Sequence, residues 1–196
     1  MLIVVRHGRT AHNASGLLLG RIDPPLDDLG RRQAVALAAA VGPVDRVITS
    51  PLLRTRETAA AFGVEPIVDE RWIELDYGVF DGAPLGSIDP EIWQRWRTDA
   101  DFAPEGGESL RQLGVRVSDA LDELAADGSA VERTTVIVTH VSPIKAAMCW
   151  AMGVGDLVAW RLWVAPASIT RIGTTPRGGV VHTFNEVAHL AGLDES

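Results

Sequence analysis

Residues 2–10, Leu-Ile-Val-Val-Arg-His-Gly-Arg-Thr, are a short apolar run that ends abruptly in an arginine, a histidine and a glycine. Two later segments, Arg46–Thr49 and Thr135–Thr139, are similarly apolar, and polar residues follow each of them. Strands that are half exposed alternate apolar with polar residues, whereas strands covered on both faces are apolar throughout. These three segments therefore predict buried parallel strands, the first of them at Leu2–Val5.

Helical patterns separate the predicted strands. They run from about Asp28 to Val41, from Pro51 to Phe62, from about Ser109 to Ala126, and from Pro143 to about Met152. Strands that alternate with helices of this length predict an α/β fold, a three-layer α/β/α sandwich with a mostly parallel central sheet. Near the end of the chain, Ser168–Ile172 and Val180–His182 flank the turn-rich residues 175–179, which predicts a hairpin at a sheet edge. A chain of 196 residues that is 46% hydrophobic favours a single domain over residues 1–196.

The stretch from Gly78 to Gly107 departs from this alternation. It is rich in Gly, Pro, Asp and Trp, and its one helical pattern lies around Ile92–Arg97. Long irregular insertions in compact domains are often lids or binding loops, so this insertion is a candidate lid. Trp93 and Trp96 either line a ligand pocket or fasten the insertion to the core, and the sequence leaves both alternatives open.

Composition limits the compartment and the partners. The net charge of −8 argues against nucleic acid or an anionic membrane as the main partner. No run approaches the roughly eighteen apolar residues of a membrane span, and the apolar start lacks the basic stretch of a signal peptide. Cys149 is the only cysteine, which excludes an internal disulfide. We therefore expect a cytoplasmic protein, whose oligomeric state no pattern indicates.

Residues that suit an anion follow each predicted strand. Arg6 and His7 follow the first strand, Arg54 comes shortly after the second, and His140 follows the third directly. Ligands of parallel sheets bind beyond the carboxyl ends of the strands, so we expect these side chains to meet at one edge. An acidic chain can bind an anion there if its few cations converge on one point.

Two serine–proline pairs, Ser50-Pro51 and Ser142-Pro143, are typical of an N-cap serine with proline at the first helical position. This placement puts Arg54 in a first helical turn, where the helix dipole disfavours a cation by about 0.3–1 kcal/mol. A bound anion reverses that effect, because free N–H groups and the guanidinium would both face it. The alternative is an ion pair between Arg54 and a nearby carboxylate such as Glu57, which does not explain why Arg6 and two histidines converge on the same edge.

Residues 6–10 resemble the Arg-His-Gly-x-Thr motif of the histidine phosphatase superfamily, which includes the cofactor-dependent phosphoglycerate mutases. Further segments are similar to that family in the expected order: Gly20–Ala34, Ser50–Ala59, Glu74–Gly82, Gly106–Ser109 and Asn185–Leu190. The resemblance therefore covers nearly the whole chain. One departure is Val141, which follows His140 where the family usually has glycine. Because glycine alone adopts positive φ cheaply, the substitution predicts a different backbone or a narrower site mouth.

The resemblance implies a phosphomonoester hydrolase that needs no cofactor and acts on a small phosphorylated metabolite through a phosphohistidine. It assigns the nucleophile to His7, the acid to Glu74, and the phosphate ligands to Arg6, Asn13, Arg54 and His140. These residue types suit the chemistry, because a guanidinium binds two phosphate oxygens at once and a neutral imidazole offers a free lone pair. Without the resemblance, Glu74 would be one of several solvated carboxylates.

Three other functions are open at this point. His7, His140 and a carboxylate form a zinc or iron site in principle, but neighbouring arginines oppose a cation and no compact ligand motif is present. A phosphoglycerate mutase usually carries extra segments that 196 residues do not accommodate, which favours hydrolysis. A non-catalytic phospholigand-binding module is disfavoured because nucleophile and acid are both present. Candidate substrates are sugar phosphates, phosphoglycerate derivatives and nucleotide-loop precursors of cobalamin.

Overall fold

The computed structural model describes residues 1–127, 133–175 and 178–193. Its strands are β1 (Leu2–Arg6), β2 (Arg46–Thr49), β3 (Ile67–Val68), β4 (Thr135–Thr139), β5 (Ile169–Thr175) and β6 (Gly178–Glu186). They form one sheet in the order β3-β2-β4-β1-β5-β6. The first four strands in this order are parallel, whereas β5 is antiparallel to both of its neighbours. The predicted mostly parallel sheet is therefore confirmed.

The α-helices of the described residues are α1 (Ala11–Ala14), α2 (Asp28–Val41), α3 (Leu53–Ala60), α4 (Pro90–Thr98), α5 (Leu110–Ala126) and α6 (Val141–Met152). The four helices predicted from hydrophobic periodicity correspond to α2, α3, α5 and α6. Their bounds differ by two residues at both ends of α3 and at the start of α6, and the predicted serine caps at these two starts are wrong, as described with the site.

The two faces of the sheet carry separate cores. On β1, Leu2 and Val4 belong to the cluster under α5 and α6, whereas Ile3 and Val5 belong to the cluster under α2 and α3. The chain therefore forms the three α/β/α layers that the apolar strands predicted. Burial on both faces accounts for the absence of polar alternation in these strands.

The predicted hairpin forms β5 and β6, with β6 at the edge of the sheet. Both strands extend beyond their predicted ranges. Residues 176 and 177 of the predicted turn lie outside the described residues.

The insertion 78–107 is more ordered than its composition predicts. Besides α4, it contains 3₁₀ turns at Gly78–Phe80 and Leu85–Ser87. Trp96 is 1% exposed and packs against Trp93, Phe80 and Phe102, and also against Tyr77 outside the insertion. These contacts support the alternative in which the tryptophans fasten the insertion to the core. Closure as a lid stays a prediction.

No helix within the described ranges is long and apolar enough to cross a membrane.

Candidate active site

The carboxyl ends of β1 and β4 bring two buried histidines together. Arg6 ends β1 and pairs with Thr139 at the end of β4, so His7 and His140 leave adjacent strands side by side. Their ring centroids are 5.1 Å apart, with 62° between the ring planes. The convergence that the strand ends predicted therefore occurs.

The His7 ring is held in one tautomer. Its Nδ1 lies 2.7 Å from the Gly8 carbonyl oxygen, which can only accept, so Nδ1 carries the hydrogen and Nε2 keeps the lone pair. Burial, reinforced by the nearby charges of Arg54 and Arg6, lowers the pKa of His7 well below its ordinary value. The ring is therefore neutral at physiological pH.

Close backbone packing fixes the loop that carries His7. A Cβ atom on Gly8 would lie 2.4 Å from the Gly30 carbonyl oxygen, and one on Gly30 would lie 2.0 Å from the Arg9 carbonyl oxygen. Only glycine at both positions lets the loop contact the start of α2. On the other side, Ala167, with a left-handed φ of 52°, donates its N–H to the carbonyl of His7.

His140 bonds to Ser50 rather than to solvent. Its Nε2 is 2.7 Å from the Ser50 hydroxyl, and its Nδ1 has no hydrogen-bond partner in the described part of the chain. Burial, followed by the charge of Arg54, lowers the pKa of His140 well below its ordinary value. His140 therefore offers neutral hydrogen bonding, not a positive charge, at neutral pH.

Arg54 is completely buried in the first turn of α3. Its two terminal nitrogens donate to the Ile22 and Gly20 carbonyls, each at 2.8 Å, and its Nε has no partner among the described residues. Its one ion pair is a long contact of 4.0 Å with Asp23. The alternative of an ion pair with a nearby carboxylate is therefore met only by this long contact, and no pair with Glu57 forms among the described residues, where Glu57 accepts the N–H of Leu26.

Asp81 shapes the loop to which Arg54 donates. One carboxylate oxygen accepts the Gly20 N–H at 2.7 Å, and the other accepts those of Arg21 and Ile22 at 2.7 and 2.8 Å. These three hydrogen bonds orient the loop so that the Gly20 and Ile22 carbonyls face Arg54. Sequence reasoning gave Asp81 no role, although it lies in a segment similar to the family, because its partners are about sixty residues away.

Arg6 and Asn13 each keep hydrogen-bond donors that have no acceptor among the described residues. Arg6 donates from Nη1 to the Val164 carbonyl at 2.8 Å, whereas its Nε has no partner in the described ranges. Burial, partly offset by Glu74, lowers the pKa of Arg6 to about 10, so it remains charged. The side-chain Oδ1 of Asn13 accepts hydrogen bonds from the N–H and the hydroxyl of Thr10, which leaves the side-chain NH₂ of Asn13 as a donor.

Glu74 is 3% exposed, and its carboxylate is bound by backbone N–H groups. Oε1 accepts from Leu75 at 2.7 Å and from Ser142 at 3.1 Å, and Oε2 accepts from Val141 at 3.1 Å. The carboxylate therefore caps α6, where the helix dipole favours negative charge. Val141 is the first residue of this helix and does not have a positive φ. The backbone at this position therefore does not require glycine.

Neighbouring arginines hold the backbone of Glu74. Arg21 Nε and Arg116 Nη2 donate to its carbonyl oxygen at 3.0 and 3.3 Å. Glu108 pairs with Arg116 at 2.7 Å, and Asp76 accepts the N–H of Gly78. These two carboxylates are engaged outside the cavity described below.

Both predicted serine caps are wrong. Helix α3 begins two residues after Pro51, and the Leu53 N–H donates to Asp23 at 2.7 Å. Helix α6 begins before Ser142, which is its second residue. The two serine hydroxyls instead bond to His140 and, at 3.1 Å, to the Tyr77 hydroxyl.

A cavity of about 290 Å³ opens over His7. Its wall consists of Arg6, His7, Asn13, Glu74, Tyr77 and Lys145 together with the apolar residues Leu17, Leu18, Leu19, Leu85 and Val141. The wall thus contains four of the six predicted site residues, whereas Arg54 and His140 lie outside it. Lys145 was not predicted as a site residue. Neither Trp93 nor Trp96 contributes to this wall.

Within the described residues, no group of three or more His, Cys, Asp and Glu side chains is placed to hold a metal ion. Metal independence of the reaction stays a prediction.

Comparison with known proteins agrees with this geometry. A family model described as histidine phosphatase superfamily (branch 1) matches residues 2–187. The chain belongs to the histidine phosphatase superfamily.

Relatives of this histidine phosphatase superfamily member carry several names. It is 32% identical over 199 residues to phosphoserine phosphatase 1 of Hydrogenobacter thermophilus, covering 96% of this chain and 93% of that protein. It is also 32% identical to the probable phosphoglycerate mutase GpmB of Yersinia enterocolitica, covering 99% and 97% of the two chains. A bifunctional protein of Mycobacterium tuberculosis is 33% identical over 86% of this chain, which spans about half (49%) of that longer protein.

A solved structure confirms the fold. The mycobacterial glucosyl-3-phosphoglycerate phosphatase, in a complex with VO3, superposes with a TM-score of 0.85 at 30% sequence identity. The match covers 95% of this chain and 98% of that chain.

Proposed function

We propose that this protein hydrolyses small phosphomonoesters through a phosphohistidine formed on His7 Nε2. The observation that carries the proposal is the buried, neutral His7 ring, whose Nδ1 donates to the Gly8 carbonyl while the ring faces the cavity. Two relatives named as phosphatases, of phosphoserine and of glucosyl-3-phosphoglycerate, support a small phosphorylated metabolite as the substrate.

In the first step, His7 Nε2 attacks phosphorus, so a P–N bond forms as the bond from phosphorus to the ester oxygen breaks. The negative charge of the transferring group is spread over three oxygens. Arg6 and Arg54 supply positive charge there, and Asn13 and His140 supply neutral donors. Preorganised donors of this kind are worth about 10²–10³ in rate each, because they need no rearrangement during the reaction.

Glu74 is proposed to supply the proton that the leaving oxygen needs. Its carboxylate accepts three backbone N–H groups, which hold it at the cavity beside His7. In the substrate complex, Glu74 is proposed to hold a proton beside the bound phosphate. The proton then passes to the alkoxide as it departs.

The second step regenerates the enzyme. Water attacks the phosphorus of phosphohistidine, the Glu74 carboxylate accepts a proton from that water, and the P–N bond breaks. Orthophosphate leaves and His7 is again neutral. A mutase would use the same phosphohistidine but return the phosphoryl group to another oxygen of a bound acid. The relative named as a probable phosphoglycerate mutase makes this the second candidate.

The proposal is tested by rapid quench with radiolabelled phosphoserine and 3-phosphoglycerate. We expect an acid-labile, base-stable phosphoryl adduct that maps to His7, followed by release of orthophosphate. A His7→Ala variant should be folded and inactive, whereas His12→Gln, a matched change outside the cavity wall, should keep its activity. An adduct on serine or aspartate, or ordinary activity in folded His7→Ala, would contradict the mechanism. Isomerised acid without free phosphate would establish the mutase reaction.

A further inference from the structure

Lys145 is the one lysine in the sequence, and the proposed mechanism does not use it. It lies on the second turn of α6, five residues after His140, and its side chain is partly buried. It lines the cavity over His7 and also a smaller adjoining cavity of about 50 Å³ that includes Trp160.

The ammonium group of Lys145 has no close counter-ion. Within the described ranges, it makes no hydrogen bond and no carboxylate lies within 4.0 Å of it. Its Nζ lies 5.7 Å from the centroid of the Trp160 ring. Glu74 attracts it, but burial dominates and lowers its pKa. A partly buried cation without a partner is costly, so such a group is retained where a ligand supplies the opposite charge.

The charges around the cavity leave room for a second anion. Arg6, Arg54 and Lys145 carry three positive charges, and Glu74 carries one negative charge until it takes up a proton. A phosphate dianion offsets two of the positive charges. Arg54 also keeps its 4.0 Å contact with Asp23, and Arg6 donates to the Val164 carbonyl, so Lys145 is the one of these three cations that makes neither a hydrogen bond nor an ion pair within the described residues.

The remaining wall restricts the chemistry of that second group. Five aliphatic side chains face the cavity, and the Tyr77 hydroxyl is already bonded to Ser142. A hydroxyl-rich substrate would lose its hydration there without new partners.

We infer that Lys145 is a specificity-determining residue that binds a carboxylate of the substrate, so the preferred substrates are phosphorylated carboxylic acids. The inference rests on the proposed phosphatase function and adds a subsite to it.

The experiment compares substrate pairs that differ by one carboxylate. O-phosphoserine is paired with O-phosphoethanolamine, and 3-phosphoglycerate with glycerol 3-phosphate. The preference is the ratio of kcat/KM within each pair. We expect about a ten- to hundred-fold preference for the acid, the usual range for one hydrogen bond to a charged group.

Substitution at Lys145 assigns this preference to the ammonium. Lys145→Met keeps the apolar stem and should reduce the ratio to about one, and the matched variant Lys145→Arg should retain most of it. Because the ratio is internal to each variant, a general loss of activity does not affect it. Thermal unfolding establishes that both variants are folded. If Lys145→Met fails to fold, Lys145→Gln replaces it with the same expected loss. An undiminished ratio in a folded variant without the charge overturns the inference.

Chemical labelling provides a second readout that does not depend on turnover. Apart from the N-terminus, Lys145 is the one amine in the chain, so acylation monitored by mass spectrometry reports on it directly. Phosphoserine should protect Lys145 in the His7→Ala variant more strongly than phosphoethanolamine does. Equal protection by the two ligands contradicts the subsite. If neither ester nor p-nitrophenyl phosphate is hydrolysed by the wild-type protein, the proposed function fails; hydrolysis without carboxylate preference overturns the subsite alone.

Discussion

Replacing Asp81 with alanine should lower the stability of the protein and displace Arg54. The change removes the acceptor of three backbone N–H groups in the loop 20–22. Hydrogen bonds to a charged group contribute about 1.5–3 kcal/mol each. Asp81 is partly exposed, so water can replace some of the lost hydrogen bonds to the backbone N–H groups. We therefore expect the free energy of unfolding to fall by about 2–4 kcal/mol in total.

The loss of activity follows from the same contacts. Without Asp81, the Gly20 and Ile22 carbonyls are no longer directed at the two Arg54 nitrogens that they bind at 2.8 Å. A displaced cation stabilises the transferring phosphoryl group less, so kcat/KM should fall by about ten- to hundred-fold, less than for complete removal of a donor. The fall should be the same for alkyl esters and for p-nitrophenyl phosphate, because Arg54 acts on the phosphoryl group that both share.

Urea unfolding and steady-state kinetics, measured where each variant is fully folded, separate the two effects. Asp89→Ala is the matched control, because Asp89 accepts one N–H from Glu91 at the start of α4, away from Arg54. It should lose about 1 kcal/mol of stability and no activity. Asp81→Asn, which retains one acceptor oxygen, should fall between the wild type and Asp81→Ala. Full activity in folded Asp81→Ala would refute the reasoning.

Three further predictions concern the chemistry of the site. Glu74→Gln should slow phosphoryl transfer to His7 most for poor leaving groups such as sugar alkoxides and less for p-nitrophenyl phosphate; equal impairment in quench-flow experiments contradicts an acid role. Activity should survive EDTA, because Arg6 and Arg54 supply the positive charge, and loss on chelation with recovery on adding zinc would instead assign a metal site. The free energy of unfolding should fall as the pH drops below about 6.5, because His7 and His140 take up protons in the unfolded state but remain neutral when they are buried in the native state. Each histidine should change the free energy of unfolding by at most about 1.4 kcal/mol per pH unit. Urea titrations between neutral and acid pH should give a smaller slope for His140→Gln, and an unchanged slope contradicts this assignment.

The central strands could be predicted from the sequence because burial on both faces of the sheet makes each strand an uninterrupted apolar run. Arg46–Thr49 and Thr135–Thr139 were predicted with their observed bounds, because every strand position between two helical layers must be tolerant of burial. The meeting of His7 and His140 could be predicted for a related reason. Adjacent parallel strands end at one edge, so residues that follow them are brought together whatever the intervening sequence.

The starts of α3 and α6 could not be predicted, because their N–H groups are satisfied from distant parts of the chain. Asp23 reaches Leu53 across 30 residues, and Glu74 reaches Ser142 across 68. A serine before a proline is a local signal, and it is overridden when a remote carboxylate occupies the same N–H groups. Asp81 escaped prediction for the same reason, since its partners are defined by tertiary structure and not by spacing.

The donors that are proposed to bind phosphate also predict how the protein responds to its own product. In the proposed mechanism, Arg6, Arg54 and the neutral His140 act on the peripheral oxygens of the phosphoryl group, and orthophosphate retains those oxygens after the alcohol has departed. We therefore expect product and substrate to compete for the same contacts, with inorganic phosphate as a competitive inhibitor. Flux would then follow the ratio of ester to free phosphate in the surroundings, which would give feedback without a second regulatory site.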